Sequence, residues 1–385
     1  MTRHSLGRTA ALMLAASSLL AACGGGSSST SAAPSAAATT EATTSASSAP
    51  GASAPVSSSP EAGVPGPLAD AATVRFGVFP NVTHAPGLVE LADNGPLRKL
   101  LPNADIQVSS FTSGTKAVEA MFSDAIDITF VGPNPAINAY AQSKGTAVRV
   151  IAGSTSGGAF LVVKPDINSA ADLKGKTIAS PSLGNTQDVA LRSWLKGQGI
   201  STDTAGGGDV SIAPQDNAQT LDTFVDGTIQ GAWVPEPWAT RLIQEGGGKV
   251  LVDERDLWPN GRYVTTQLMV ATKFLDANPE VVKRILLATV QAVDFVNAQP
   301  AEAQQIVNGE IEKWATKKLS DQLLTTSWGN LTFTVDPIAS SLQKSADDAV
   351  ALGLLKDPGD LKGLYDLGPL NQILDALDEP EVKGL

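Results

Sequence analysis

The chain has 385 residues, 42% of them hydrophobic, and a formal net charge of −12 at pH 7 with one cysteine and two histidines. So acidic a chain disfavours nucleic acid and anionic membrane surfaces as partners, although local N–H dipoles can still hold a small anion. A single cysteine excludes an internal disulfide, and so few sulfur and imidazole ligands argue against a zinc site.

Residues 1–22 predict an export signal, with Arg3 and Arg8 flanking an apolar core (Ala10 to Ala22) too short to span a bilayer. Leu20-Ala21-Ala22-Cys23 resembles a bacterial lipobox. That resemblance implies a mature chain starting at Cys23, whose thiol carries a diacylglyceryl group and anchors the protein in membrane lipid outside the cytoplasm. Residues 23–68 are mostly Ser, Ala, Thr, Gly and Pro, with Glu41 and Glu61 as the charges. Such a stretch cannot build a core and reads as a flexible tether. The remainder is long enough for about two domains.

The globular part opens with a strand over Val74 to Phe79 and a helix from about Ala85 to Asp93. Ile106 to Phe111 predicts the next strand, and Ser113-Gly114 a helix carrying Val118, Met121 and Phe122 at helical spacing. Ile128 to Val131 is an apolar run that reads as a strand buried on both faces. Gly132-Pro133 ends it, Asn134 is expected as a helix cap, and Pro135 as the first helical residue. Val148 to Ala152 predicts a fourth strand followed by a glycine- and serine-rich turn, Gly153 to Gly158. Further strands are expected at Phe160 to Val163, Lys176 to Ser180, Val210 to Ala213, Gln230 to Val234 and Val250 to Asp253. Between them, helices follow Pro181 to Thr186, with Leu191 and Leu195 four apart, and begin near Ala218. Tyr263 to Ala271 reads as an extended return crossover. Beyond Asn278-Pro279, a cap and first-turn pair, the chain is expected to be helical to about Leu377 and to pack on the first lobe.

Phe122, Asp124, Pro133 and Pro135 have identical residues 102 positions later, Phe224, Asp226, Pro235 and Pro237. Both copies read as helix, acidic turn, apolar strand and a Pro-x-Pro helix start. This echo predicts two lobes of similar topology, in which alternating strands and helices build mostly parallel sheets flanked by helices. The expected organisation is lobe one over residues 69–157, lobe two over 158–262, and a return crossover with C-terminal helices of lobe one over 263–385.

Open α/β sheets place ligands at the carboxyl ends of their strands. The candidate site residues are therefore Asn81, Thr83 and His84; Ser113 and Gly114; Gly132, Pro133 and Asn134; Ser156 and Gly157; Gly184, Asn185 and Thr186; and Pro235, Glu236 and Trp238. Gly184-Asn185-Thr186 is the first choice for an anion, with Thr186 capping a helix and Gly184 allowing close backbone approach. His84 is either a neighbour of a helix cap or a donor to the ligand. Trp233 and Trp238 read chiefly as packing, although a tryptophan at a cleft mouth can cover a ligand. Arg149, Arg192 and Arg262 could bind an anion, although arginine on a solvated face is the commoner outcome. No Gly-x-Ser-x-Gly, Gly-x-x-x-x-Gly-Lys-Ser/Thr or Gly-x-Gly-x-x-Gly element occurs, so no catalytic group or nucleotide cofactor is expected.

From Val74 to Asp294 the chain resembles the periplasmic-type substrate-binding proteins of ABC importers. Within them it is similar to the nitrate/taurine/aliphatic-sulfonate group, which includes thiamine-pyrimidine-binding proteins. The residues that carry this are Asp172-Leu-Lys-Gly-Lys176 with its following strand, Gly184-Asn-Thr186, Asp127 with Gly132-Pro133, and Ala232-Trp-Val-Pro235. The resemblance implies a two-lobed α/β fold of the type II periplasmic-binding-protein kind, with hinges near Gly153 to Gly158 and Tyr263 to Ala271. It implies a monomeric receptor that closes on a small anion, an aliphatic sulfonate or taurine-like compound first, and delivers it to ABC permease subunits. Nitrate, a pyrimidine or an aromatic acid are alternative cargoes. A thiamine-pyrimidine-synthase-like enzyme shares the fold, but that branch relies on a cysteine-rich iron site and this chain has Cys23 alone.

Overall fold

The computed structural model describes residues 63–385. The expected signal, Cys23 and most of the expected tether lie outside the described residues. Lobe one is laid down as β1 (Thr73–Val78), α1 (Ala85–Leu91), α2 (Pro96–Leu100), β2 (Asp105–Ser110), α3 (Gly114–Phe122), β3 (Ile128–Val131), α4 (Pro133–Gln142) and β4 (Val148–Gly157). The chain then enters a second sheet through β5 (Ala159–Val163), β6 (Thr177–Ser180), α5 (Thr186–Gly197) and β7 (Ser211–Pro214). That lobe is completed by α6 (Asn217–Val225), β8 (Gly231–Pro235), α7 (Trp238–Gln244) and β9 (Lys249–Asp253). It returns along β10 (Val264–Ala271) to α8 (Thr272–Ala277), α9 (Pro279–Ala298), α10 (Pro300–Ala315), α11 (Asp321–Gly329), β11 (Leu331–Phe333), α12 (Ala339–Ala351) and α13 (Gly368–Ala376).

The strand orders are β11-β4-β10-β3-β1-β2 in the first sheet and β7-β6-β8-β5-β9 in the second. In each, one strand lies between two parallel neighbours: β1 between β2 and β3, β6 between β7 and β8. The strand that arrives from the other lobe, β10 or β5, lies antiparallel beside the third. Both sheets are therefore mixed rather than mostly parallel. Strands joined through a helix within one lobe run the same way, whereas a strand crossing between lobes runs against them. The 102-residue echo is a matched helix–strand–helix unit, α3–β3–α4 and α6–β8–α7. Its environments differ, since Phe122 is 42% exposed and Phe224 is fully buried.

β3 is buried along its whole length, and Phe130 stacks on Phe76 of β1 with centroids 5.6 Å apart. Just before β3, the buried Asp127 carboxylate accepts from the Arg75 backbone at 3.0 Å and from its guanidinium Nε and Nη2 at 2.9 and 2.5 Å. This bidentate, charge-assisted pair clamps β3 to β1. α4 begins at Pro133 with Gly132 as its cap. Asn134, expected as the cap, lies inside the first turn and donates from Nδ2 to the Ser345 carbonyl at 3.2 Å. Asn278 likewise makes no side-chain cap and donates instead to the Phe274 carbonyl.

Gly153 to Ser156, read as a turn, continue β4, paired with β10 on one side and with the unforeseen β11 on the other. The break comes at Gly157 and Gly158, whose φ values of 81° and 73° favour glycine and redirect the chain into β5. The two crossovers are bound together. The Ala159 amide donates to Tyr263 Oη at 3.2 Å, and Thr265 Oγ1 donates to the Gly157 carbonyl at 2.6 Å. The C-terminal helices are not confined to lobe one. α9 packs there against α1 and α2, but α12 lies against both α4 and α5, and α11 against α7. No helix among the described residues is long and apolar enough to cross a membrane.

Candidate functional site

Four strand-to-helix turns converge between the lobes on a cavity of about 40 Å³. Lobe one contributes Ser113 and Gly114 at the start of α3 and Gly132 at the start of α4; lobe two contributes Asn185 and Thr186 of α5 and Asn217 of α6. The turn after β1 adds Phe79, Asn81, Thr83 and His84, and the crossover strand β10 adds Thr265 and Thr266. Thr112, Pro135, Pro181, Gln187 and Pro235 complete the wall. No Lys, Arg, Asp or Glu lies among these residues. The polarity comes from hydroxyls, amides and helix ends.

The four helices have 9, 10, 12 and 9 residues, and α3, α4 and α6 begin without a side-chain cap. Each N-terminus favours an anion by about 0.3–1 kcal/mol, rising to about 2 kcal/mol when partly buried. Three buried polar atoms on cavity residues, His84 Nε2, Asn217 Oδ1 and Thr266 Oγ1, make no hydrogen bond within the usual distance and angle limits among the described residues. A buried unpaired polar group costs about 1–3 kcal/mol, which a bound molecule could offset. His84 stacks on Phe79 at 4.5 Å, and its Nδ1 lies 3.2 Å from Thr83 Oγ1. Burial pushes the imidazole down to about 3, so it is neutral at ordinary pH.

The α5 turn is held from behind. Asp188 accepts from Ser180 Oγ at 2.7 Å, from the Gly184 amide at 2.9 Å and from Arg192 Nε at 3.0 Å. Asn185, not Thr186, caps α5, accepting from the Asp188 amide at 3.0 Å. Gly184 thus spends its N–H on Asp188. Arg192, expected on the surface, is 2% exposed, because its i,i+4 pair with Asp188 is internal.

The lobes touch around this space. Trp238 Nε1 donates to Asn81 Oδ1 at 3.0 Å, and Lys116 Nζ and Thr112 Oγ1 both reach Asp216 at 3.1 Å. Gly132 faces Thr186 so closely that a Cβ there would lie 2.5 Å from Thr186 Oγ1.

Of the residues singled out from the sequence, Asn81, Thr83, His84, Ser113, Gly114, Gly132, Asn185, Thr186 and Pro235 line the cavity. Pro133, Asn134, Ser156, Gly157, Gly184, Glu236 and Trp238 do not. Ser156 and Gly157 belong to the bound crossovers. Glu236 is fully buried, accepting from Thr240 and, at 2.7 Å, from Asn330 Nδ2 near the end of α11; burial raises its pKa. Sequence reasoning passed over Asn217, although it opens the helix after β7 and the same strand-to-helix rule would have reached it. Thr265 and Thr266 carried no signal, being two more β-branched residues of a buried strand. Among the described residues, no group of three His, Cys, Asp or Glu could hold a metal.

A sequence model of the NMT1-like family matches residues 69–309. A binding protein of Brucella abortus is 26% identical over 309 residues, spanning 77% of this chain and 91% of that protein. The taurine-binding periplasmic protein of Escherichia coli is 29% identical over 230 residues, or 60% of this chain and 69% of that one. Among solved structures, the alkanesulfonate-binding protein SsuA of Xanthomonas axonopodis pv. citri, bound to MOPS, superposes with a TM-score of 0.65 at 18% identity, covering 78% of this chain and 100% of its own. The periplasmic nitrate-binding protein NrtA of Synechocystis PCC 6803 superposes equally, with a TM-score of 0.65 at 17% identity over 80% of this chain and 89% of its own. With more than half of its length matched, the chain belongs to the NMT1-like family and has the periplasmic-binding-protein fold.

Proposed function

We propose that this chain is the extracytoplasmic receptor of an ABC importer, anchored through lipid on Cys23, which closes two lobes on a small oxyanion and hands it to the permease. The observation that carries the reading is the convergence of four helix N-termini on one cavity without a charged side chain. Such a site stabilises negative charge through helix-end N–H groups together with neutral hydroxyl and amide side chains. An aliphatic sulfonate or taurine, headgroup inward, is the first cargo we assign, in keeping with the names of its relatives. The cavity's size favours a second cargo class, compact inorganic oxyanions such as nitrate or bicarbonate. About 40 Å³ holds roughly three waters, room for a compact oxyanion or an anionic headgroup.

A thermal-shift and calorimetric panel of taurine, alkanesulfonates, nitrate, sulfate, bicarbonate, phosphonates and thiamine precursors tests this. A bound cargo at a hundred times its Kd adds about 2.7 kcal/mol. Stabilisation by an oxyanion supports the reading. Silence from every anion beside a shift from a neutral heterocycle would overturn the oxyanion assignment while leaving the two-lobed receptor standing.

A further inference from the structure

Helix α12 is anchored in lobe one, where Ser341 Oγ accepts from the Val264 amide at 3.0 Å and the Ser345 carbonyl accepts from Asn134 Nδ2 at 3.2 Å. From that base it grips lobe two twice. The Lys344 ammonium stands 5.1 Å from the centroid of the Trp258 ring. At the C-terminal end of the helix, Lys196 Nζ of α5 donates to the Ala351 carbonyl at 2.8 Å, where a helix C-terminus favours a cation.

Trp258 is a rigid target for the first grip. Its ring stacks on Tyr263 at 5.5 Å and 14°, and its N–H points at the carboxyl of Glu254, 3.4 Å away. Glu254 is 1% exposed and also accepts from Trp233 Nε1 of β8 at 2.7 Å, so the indole is tied into the core of lobe two. Tyr263 bonds the amide of Ala159 in the other crossover. The Lys344 ammonium therefore stands over an indole stacked on Tyr263, the residue whose hydroxyl joins the two crossovers. Asp348 of the same helix, 2.6 Å from Lys344 Nζ, steadies the lysine. None of these residues lines the cavity.

We propose that α12 is a latch: Lys344 on Trp258, with Lys196 on the end of the helix, holds the lobes closed from outside the cavity and so sets solute affinity without touching solute. The inference rests on the receptor reading for its consequence, but the closure itself is measurable without cargo. Cys23 is the only cysteine in the chain, so a Cys23→Ser background accepts two spin labels and no others. Glu119→Cys and Thr204→Cys place them on opposite lobes, at residues that line one groove between the lobes.

Pulsed dipolar distances are then recorded on the full chain with Lys344, Lys344→Met and Lys344→Arg, with and without the anion panel. Methionine keeps the length and apolar stem but loses the charge, whereas arginine keeps the cation over the ring. The expected result is an open-to-closed ratio raised about three- to tenfold by Lys344→Met without solute, a matching rise in Kd for any solute that binds, and return to wild-type behaviour with Lys344→Arg. Distance distributions that superimpose for wild type and Lys344→Met overturn the latch, whether or not any solute binds. A shift in Lys344→Met beside silence from the whole panel supports the latch and sinks the oxyanion assignment instead. Lys196→Met, removing the second grip, should widen the distribution in the same direction.

Discussion

Gly132→Ala isolates lobe closure from folding. Gly132 has φ −72° and ψ 166°, an extended conformation that alanine adopts freely, so the backbone offers no objection. The obstacle is the opposite lobe. An added Cβ would stand 2.5 Å from Thr186 Oγ1, with the Thr265 carbonyl next at 3.5 Å. On the proposed reading, opening of the lobes would free the methyl of Thr186, whereas in the structure described it overlaps a hydroxyl on a helix held by the buried Asp188–Arg192 pair. Overpacking of this order costs about 1–3 kcal/mol, which raises Kd by about five- to 150-fold. Calorimetry with the best anion of the panel reads the affinity, and a melt without ligand checks the fold. Thr186→Ala removes the hydroxyl and should restore much of the loss when combined with Gly132→Ala, giving a coupling of about 1 kcal/mol or more in a double-mutant cycle. Additive losses, or an unchanged Kd in Gly132→Ala, would refute closure of these two turns onto each other.

Trp238→Phe keeps an aromatic ring, though a smaller one, but deletes the N–H that Asn81 accepts, and should weaken solute binding about two- to tenfold, read by calorimetry. Burial raises the Glu254 carboxyl from 4.5 to about 7. The folded state then binds that proton more tightly than the unfolded state, so stability falls as pH climbs through this window and stays lower above it. The gap corresponds to about 3 kcal/mol. Glu254→Gln, which still accepts from Trp233, should therefore gain on wild type in melts at about pH 8 relative to about pH 4.5, and an equal difference at both would count against it. His84, held near 3, stays neutral, so solute affinity should show no transition with a midpoint near the ordinary 6.5. Acid should instead cost stability below that value, because the unfolded chain takes the imidazole proton more readily, and His84→Gln should blunt this loss in acid melts.

The strand-to-helix turns were legible because their signals are local. An apolar run such as Ile128 to Val131, broken by Gly-Pro, dictates a buried strand and a helix start from its own residues. Cap assignments slipped by one or two positions at Gly132 and Asn185, since Asn, Thr and Gly all serve as caps and only the final backbone selects among them. Arg192 was misjudged because an i,i+4 pair looks the same on a surface and in a core. Thr265 and Thr266 were hidden for a related reason: periodicity reports burial, not whether the buried face meets protein or a ligand space. The bridging position of α12 was out of reach, as an amphipathic stripe says that a helix packs but not on which lobe.

The uncharged wall of the cavity has a consequence for where such a molecule can work. Dipoles at contact range act over a few ångströms, well inside the ~8 Å over which physiological salt screens a charge. Burial holds His84, the titratable side chain in that wall, well below its ordinary value, so the wall itself carries no charge near neutral pH. On the proposed reading, the receptor meets a medium whose salinity and acidity the cell does not control. Its grip on cargo would hold steady across that medium, and selectivity would rest on the cargo's shape and its count of acceptor oxygens rather than on ionic strength.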